Sequence, residues 1–196
     1  MGGGCRNPRL VKRAFDIALS LLVIPLILPV LVICAIVIRI DSPGPAFHIS
    51  LRVGRKNTLF NMPKFRTMHV STPQVATHLL VNPSNHLTRV GGFLRKTSLD
   101  ELPQIWSVLL GNMSFVGPRP ALFNQHDLVE ARTRLGINSL RPGITGWAQI
   151  NGRDEISLEK KVELDREYLA KKSFIFDLKI LLKTAWKAVA LEGVSH

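Results

Sequence analysis

The feature that most constrains the fold of this chain is a run of 22 uncharged residues near its start, Ile17–Ile38. As one straight helix this run would extend about 33 Å, which is close to the thickness of the hydrocarbon core of a bilayer. Pro25 and Pro29 lie inside the run, and each removes a helix hydrogen bond and clashes with the preceding turn. A bend at these prolines would leave arms of roughly 12 and 21 Å, each shorter than the bilayer core.

Positive charge flanks both ends of the apolar run. The preceding basic residues are Arg6, Arg9, Lys12 and Arg13, and the following ones are Arg39, Arg52, Arg55 and Lys56. Each flank therefore prefers the cytoplasmic side of a membrane, and a helix that crossed the bilayer once could not satisfy both. A bent helix that enters and leaves the same leaflet satisfies both, so we favour a re-entrant hairpin over a spanning helix. A cleaved signal peptide fits less well, because no small-residue cleavage site follows.

The remainder of the chain has the pattern of a small domain that begins after the breaker sequence Ser42–Pro45. Phe47–Met68 is typical of short strands and turns, with a turn at Arg55-Lys56-Asn57. The predicted helices are Thr97–Leu110, His126–Leu135, Ser157–Lys171 and Ser173–Leu191. We therefore predict an α+β, mainly helical fold in two parts: a membrane-embedded re-entrant helix over residues 1–41 and a cytoplasmic domain over residues 42–196.

The last of these helices is basic and amphipathic. Lys179, Lys183 and Lys187 recur every four residues beside apolar side chains. Such a helix lies on a membrane surface or covers a protein core, and the pattern leaves both alternatives open.

Charge is unevenly distributed along the chain. It has 26 Lys and Arg against 14 Asp and Glu, and residues 1–99 carry 13 basic but only 2 acidic side chains. A strongly basic chain usually binds phosphate, as nucleic acid, anionic lipid or a phosphorylated substrate. Nucleic acid is disfavoured, because the chain has one Tyr and no basic motif interleaved with aromatic residues. The two cysteines exclude a disulfide framework and a Cys-based zinc site.

A pair of carboxylates, Asp100 and Glu101, ends a stretch from Ser42 to Leu99 that has no acidic residue. Both are predicted at a helix N-terminus, where the helix dipole and nearby cations should keep the pKa of a carboxylate low. An ionised carboxylate in basic surroundings suits a nucleophile or a metal ligand acting on a phosphorylated substrate. Ser98 and Glu101 also form an ordinary capping box, so the pattern taken alone favours a structural role.

Several further segments occur in a fixed order along the chain. They are Lys12–Asp16, Arg52–Gly54, Lys64–Met68, Leu94–Gln104, Met113–Pro120, Arg141–Gly146 and Gln149–Arg153. Each is weak alone, whereas the ordered set covers the chain from about residue 10 to 195. In this set the chain resembles the bacterial sugar transferase family, and within it the small monotopic polyprenyl-phosphate phosphoglycosyl transferases.

The resemblance implies a two-step reaction on a nucleoside-diphosphate sugar, usually a UDP-sugar. By match to the family's Asp-Glu pair, Asp100 would attack the sugar-side phosphorus, release UMP and form a phosphosugar-aspartyl intermediate. Polyprenyl phosphate, typically undecaprenyl phosphate, would then take the phosphosugar, as the first membrane step of glycoconjugate biosynthesis. Glu101 would assist, and Mg²⁺ would be held by Asp100 and Glu101.

Other site residues also follow from the resemblance. The matched phosphate-binding positions are Lys64, Arg95, Arg119 and Arg153, with Pro118 and Pro120 fixing Arg119. The implied location is the cytoplasmic face of the bacterial inner membrane, where residues 42–196 would be the catalytic domain. The larger members add transmembrane helices ahead of this domain, so the chain is expected to correspond to the catalytic module alone.

Two positions depart from the family pattern. Ile24 stands where a serine commonly precedes the bend proline, and Asn112 stands where an aspartate is common. Two alternatives to the transferase remain at this stage. One is a non-catalytic basic module that docks on anionic lipid, and the other is a lipid diphosphate hydrolase using the same carboxylate.

Overall fold

The computed structural model describes residues 8–72, 82–152 and 156–190. The α-helices are α1 Pro8–Asp41, α2 Arg89–Lys96, α3 Ile105–Leu110, α4 His126–Arg134, α5 Trp147–Ile150, α6 Leu158–Lys171 and α7 Phe174–Ala190. The strands are β1 Phe47–Val53, β2 Leu59–Phe65, β3 Ser114–Val116 and β4 Gly143–Thr145. Short 3₁₀ turns cover Arg55–Asn57, Pro83–His86, Leu99–Gln104 and Ile137–Ser139. The predicted mainly helical α+β class is confirmed.

The apolar run forms most of α1, which continues as helix through Pro25 and Pro29. By length and composition α1 is apolar and long enough to cross a membrane. Large apolar side chains in its middle, such as Leu22 at 66% and Leu26 at 72%, are exposed. A contiguous apolar surface of this kind marks contact with a membrane or another apolar partner.

Both ends of α1 contact the same globular part of the chain. Near its start, Arg13 Nη1 donates to the carbonyl oxygen of Val108 in α3 at 2.6 Å. Near its end, Ile38 is buried and packs in one apolar cluster with Phe65 and Leu94. Both ends of α1 are therefore held by one domain, and the middle of the helix also contributes Ile27 and Leu31 to that apolar cluster.

The predicted strands in Phe47–Met68 form an antiparallel hairpin. β1 pairs with β2 from Phe47 opposite Phe65 to Val53 opposite Leu59. The predicted turn at Arg55–Asn57 is confirmed as a 3₁₀ turn between the strands, in which Lys56 has a φ of 55°.

The helix predicted over Thr97–Leu110 forms with a different start. Leu99–Gln104 is a 3₁₀ segment and only Ile105–Leu110 is α-helical. Ser98 has a φ of 56° and its side chain caps nothing, so the predicted capping box with Glu101 is wrong. Pro103 accounts for the tighter start, because it has no N–H to donate to the carbonyl four residues earlier. Gly111 ends the helix with a φ of 89°.

The small sheet of β3 and β4 is parallel, with Ser114 opposite Gly143 and Val116 opposite Thr145. The segment after β3 approaches the start of β4 very closely. A Cβ on Gly117 would lie 2.3 Å from the carbonyl oxygen of Arg141, so only glycine allows this approach. The close contact fixes where the chain leaves β3.

The helices predicted near residues 126, 157 and 173 are confirmed as α4, α6 and α7. α7 has two apolar sides. Ile180 is fully buried against the domain, whereas Ile175, Leu182 and Trp186 are 79%, 65% and 73% exposed. The helix therefore covers a core and also presents an apolar stripe outward. The two sequence-based alternatives, covering a core and lying on a membrane surface, are thus compatible.

Candidate active site

The Asp100-Glu101 pair lies in the 3₁₀ segment that leads into α3, facing the end of β2. Asp100 is 8% exposed. One oxygen of Glu101, Oε1, accepts hydrogen bonds from Lys64 Nζ of β2 and from Arg119 Nη2, each at 3.0 Å. The fold thus brings together four of the predicted site residues from three distant stretches of sequence.

The pKa of the Asp100 carboxyl is raised above its usual value, and burial is the cause. The nearby ammonium of Lys64 is the largest opposing influence, while the Glu101 charge adds to the rise. The low pKa expected from the helix dipole and the cations is therefore wrong. Loss of water around a carboxylate outweighs the neighbouring positive charges, and a short 3₁₀ start provides no long α-helical dipole.

Lys64 is held in the same environment. Burial lowers the pKa of its ammonium, and the Glu101 carboxylate opposes that change. The ion pair of Lys64 with Glu101 places a cation close enough to Asp100 for the two charges to interact.

Arg95 reaches the site from the last turn of α2. Its Nε donates to the hydroxyl of Thr67 at 2.9 Å, and burial lowers the pKa of its guanidinium while the charge of Asp100 raises it. Arg95 therefore lies close enough to Asp100 for their charges to interact.

Arg119 projects from the loop after β3, between two buried prolines, Pro118 and Pro120. The backbone of this loop is held by several contacts. The carbonyl oxygens of Pro118, Arg119 and Pro120 accept from Gly143 N at 2.9 Å, Arg132 Nη1 at 2.8 Å and Arg52 Nη1 at 3.2 Å. These hydrogen bonds hold three consecutive carbonyl oxygens of the loop around Arg119. Arg153, the fourth predicted cation, lies outside the described residues.

The start of α1 is tied to the same region through the predicted segment Lys12–Asp16. Asp16 Oδ1 accepts from the hydroxyl of Ser114 at 3.1 Å and from the backbone N–H of Phe115 at 3.2 Å. Both donors lie on β3, immediately before the loop of Arg119. The apolar helix and the carboxylate site are therefore joined through one short strand.

Asp100 and Glu101 are the carboxylates of the site that could hold a magnesium ion. In the described part of the chain no group of three or more His, Cys, Asp and Glu side chains is placed to hold a metal. Mg²⁺ is commonly bound by one or two carboxylates, with water and substrate phosphate completing six ligands. The two adjacent carboxylates of Asp100 and Glu101 fit that mode, in which the phosphorylated substrate brings ligands with it.

Arg132 and Asp165, which support the loop of Arg119, were not among the residues singled out from the sequence, and Arg52 was singled out only for its charge and its family segment. Arg132 and Asp165 are both buried, and Asp165 Oδ2 accepts from Arg132 Nε at 3.0 Å. A charged residue on the apolar side of a predicted helix was the available signal, because such a position requires a partner.

Comparison of the sequence with known proteins identifies the family of this chain. The sequence profile of the bacterial sugar transferases matches residues 7–191. The chain belongs to the bacterial sugar transferase family. The family resemblance read from the ordered segments is thereby confirmed.

Individual members of the bacterial sugar transferase family align over most of this chain. It is 43% identical to the UDP-glucose:undecaprenyl-phosphate glucose-1-phosphate transferase of Escherichia coli (strain K12), over 91% of this chain and 40% of that protein. It is 39% identical to EpsL, an uncharacterized sugar transferase of Bacillus subtilis (strain 168), over 95% and 91%. It is 34% identical to the undecaprenyl-phosphate galactose phosphotransferase of Salmonella typhimurium, over 96% and 42%. The chain thus spans about 40% of the length of two of these relatives.

Proposed function

We propose that this protein transfers a sugar phosphate from a UDP-sugar to polyprenyl phosphate and releases UMP. The observation that carries the proposal is the buried Asp100 carboxylate, surrounded by Lys64, Arg95 and Arg119 in a member of the bacterial sugar transferase family. Two of the relatives described above are named as transferases of a sugar or sugar phosphate that act with undecaprenyl phosphate. That shared reaction supports the donor and acceptor classes proposed here.

In the first step, an oxygen of Asp100 attacks the sugar-side phosphorus of the UDP-sugar. The bond from that phosphorus to the bridging oxygen breaks, and UMP leaves with the electron pair. In the second step, a phosphate oxygen of polyprenyl phosphate attacks the same phosphorus and the bond to Asp100 breaks. Polyprenyl-diphospho-sugar forms, and the carboxylate of Asp100 is restored.

The surrounding cations support this assignment through their charge. Attack of a carboxylate on a diphosphate brings two anions together, and the guanidinium fork of arginine matches phosphate oxygens. Arg95 and Arg119 approach Asp100 from different elements, and Lys64 and Arg119 both donate to Glu101 beside it. Burial of Asp100 keeps water away from the proposed phosphosugar-aspartyl intermediate, because water would otherwise hydrolyse the intermediate.

Mg²⁺ is part of the proposal as the ion held by Asp100 and Glu101. When bound, it would neutralise charge on the diphosphate and on the leaving phosphate. Glu101 has a second task within the chain itself, because its Oε1 holds both Lys64 and Arg119 at 3.0 Å. Glu101 thus orients the two cations toward the substrate.

The proposal places α1 in the membrane as a re-entrant hairpin bent at Pro25 and Pro29. Its support is the attachment of both ends of α1 to one domain, through Arg13 at the start and Ile38 at the end. A helix that crossed the bilayer would put its two ends on opposite sides. The exposed apolar stripe of α7 would lie on the same membrane surface, with its lysines near anionic headgroups. We assign that surface to the cytoplasmic face of the bacterial inner membrane.

The reaction is tested with purified protein, a panel of UDP-sugars, Mg²⁺ and undecaprenyl phosphate, with UMP release as the readout. We expect continued UMP release to require both substrates, because without undecaprenyl phosphate the reaction stops after one UMP per enzyme molecule. We expect Asp100→Asn to release no UMP under either condition. Asp127→Asn is the matched control, since Asp127 is exposed on α4 and should retain full turnover. Full turnover by Asp100→Asn would refute the role of Asp100. Inorganic phosphate released from a lipid diphosphate, without UMP release, would favour the hydrolase instead.

The topology is tested by cysteine labelling in a background with Cys5→Ser and Cys34→Ser. Single cysteines introduced as Arg6→Cys and Arg55→Cys should react with a membrane-impermeant reagent from the same side of sealed vesicles. Labelling from opposite sides would refute the hairpin and support a spanning helix.

A further inference from the structure

A buried ion pair lies behind the loop that carries Arg119. Arg132 of α4 is 8% exposed and Asp165 of α6 is 1% exposed. Arg132 donates from Nε at 3.0 Å and from Nη2 at 2.6 Å to the same oxygen of Asp165. The pair joins two helices and orients the guanidinium, because two of its N–H groups are fixed on one acceptor.

The third edge of that guanidinium points at the catalytic loop. Arg132 Nη1 donates to the backbone carbonyl oxygen of Arg119 at 2.8 Å. This contact fixes the peptide plane that follows Arg119, and Pro118 and Pro120 restrict the backbone on either side. The direction in which the Arg119 side chain leaves the backbone is thereby set, and that side chain reaches Glu101 at 3.0 Å.

Stability alone does not account for a buried pair of this kind. Desolvation of two charges offsets most of their attraction, and apolar residues of similar size are often as stabilising in such a position. A contact with a backbone carbonyl in the catalytic loop, in contrast, requires a donor that an apolar residue cannot supply.

Resting on the proposed function, we propose that Arg132, oriented by Asp165, is a positioning residue for the transfer reaction. It holds the backbone of Arg119 so that the guanidinium meets both Glu101 and the diphosphate of the donor. Neither Arg132 nor Asp165 touches the substrate. Their effect on the reaction passes through Arg119.

The test uses a double variant, Arg132→Met with Asp165→Leu, which replaces the pair by apolar residues of similar size. The fold should be retained, because no unpaired charge remains buried. The carbonyl of Arg119 loses its donor, and we expect kcat/KM for the UDP-sugar to fall about 10- to 100-fold, since small misplacements of a substrate-binding group have effects of this order. Arg132→Lys, which keeps a cation and a donor, should recover part of the loss.

A merely structural role predicts a different pattern when Arg119 is also changed. If the pair acts through Arg119, the double variant should have little further effect, within about twofold, in an Arg119→Ala background. Equal factors in both backgrounds would overturn the proposal. Glu167→Gln is the matched control, because Glu167 is a charged residue of α6 whose Oε2 accepts from Trp147 Nε1 at 2.8 Å and does not contact the loop. It should leave kcat/KM unchanged.

Hydrogen–deuterium exchange tests the positioning without relying on turnover. The amides of Gly117, Arg119, Ala121 and Leu122 should exchange faster in the double variant than in wild type, and Glu167→Gln should leave them unchanged. Unchanged protection of residues 117–122 in the double variant would overturn the proposal even if UMP release is observed. If wild type releases no UMP, the proposed function fails, and the exchange measurement still decides whether the pair holds the loop.

Discussion

Replacement of Glu101 by glutamine should destabilise the protein, because it disrupts two partly buried ion pairs at once. Glu101 Oε1 lies 3.0 Å from both Lys64 Nζ and Arg119 Nη2, and the side chains are 12%, 15% and 28% exposed, respectively. At an effective dielectric constant of about 20, each pair has a gross attraction of about 5.5 kcal/mol. Desolvation offsets much of this, and removal of one partner from a buried pair costs about 3–5 kcal/mol in measured cases.

Glutamine keeps the shape and an acceptor oxygen, so we expect the lower end of that range. A loss of about 3 kcal/mol in the free energy of unfolding corresponds to a fall of roughly 6–12 °C in Tm for a chain of this size. Differential scanning fluorimetry in detergent, at fixed protein and salt concentration, gives the comparison of Glu101→Gln with wild type.

The matched control is the same substitution in an exposed ion pair, Glu130→Gln. Glu130 pairs with Arg134 one turn along α4, with side chains 62% and 73% exposed. Solvent and salt screen such a pair, so its loss should leave Tm nearly unchanged. If Glu101→Gln lowers Tm no more than Glu130→Gln does, the reasoning that Glu101 stabilises the fold by joining two partly buried cations is refuted.

Three further predictions concern the carboxylate and the apolar stripe. Asp100→Asn should abolish UMP release and raise Tm at pH 7 to 8. Because the pKa of Asp100 is raised in the folded state, the folded protein binds more protons than the unfolded protein above pH 3.8, and the stability of wild type falls as pH rises through that range. The Tm advantage of the variant should therefore shrink toward pH 4. An equal or lower Tm for the variant at pH 7 would contradict this. Lys64→Met removes the positive charge that most lowers the pKa of Asp100, so the acidic limb of the pH profile of kcat/KM should move to higher pH. A shift of that limb to lower pH would argue against Asp100 as the ionised nucleophile. Trp186 is 73% exposed on α7, and brominated lipid should quench its fluorescence in a variant with Trp106→Phe and Trp147→Phe. If Trp186 is quenched no more strongly than Trp147 measured alone, the apolar stripe of α7 lies away from the membrane.

Local pattern was sufficient for most of the elements. The apolar run, the hairpin turn at Arg55–Asn57 and the charged helix capped by Ser157 each depend on residues that are near neighbours in the chain. One local prediction was wrong because another residue nearby imposed a different backbone conformation. The capping box at Ser98 failed because Pro103 and a left-handed Ser98 impose a 3₁₀ start.

The candidate site divides in the same way. Asp100, Glu101, Lys64, Arg95 and Arg119 were identified through the ordered family segments, since charge and spacing alone could not separate a capping sequence from a nucleophile. Arg132 and Asp165 lie outside those segments, 33 residues apart, and only packing of α4 on α6 brings them to the loop of Arg119.

The sequence by itself determined a long apolar helix flanked by positive charge, a mainly helical domain, and one carboxylate pair at the end of a basic stretch. These properties depend on composition and on contacts within a few residues. The tertiary structure alone decided that both ends of α1 attach to one domain, that Glu101 holds two cations, and that the pKa of Asp100 is raised. The physical reason is that desolvation depends on everything packed around a group, and long-range partners become neighbours only when the chain has folded.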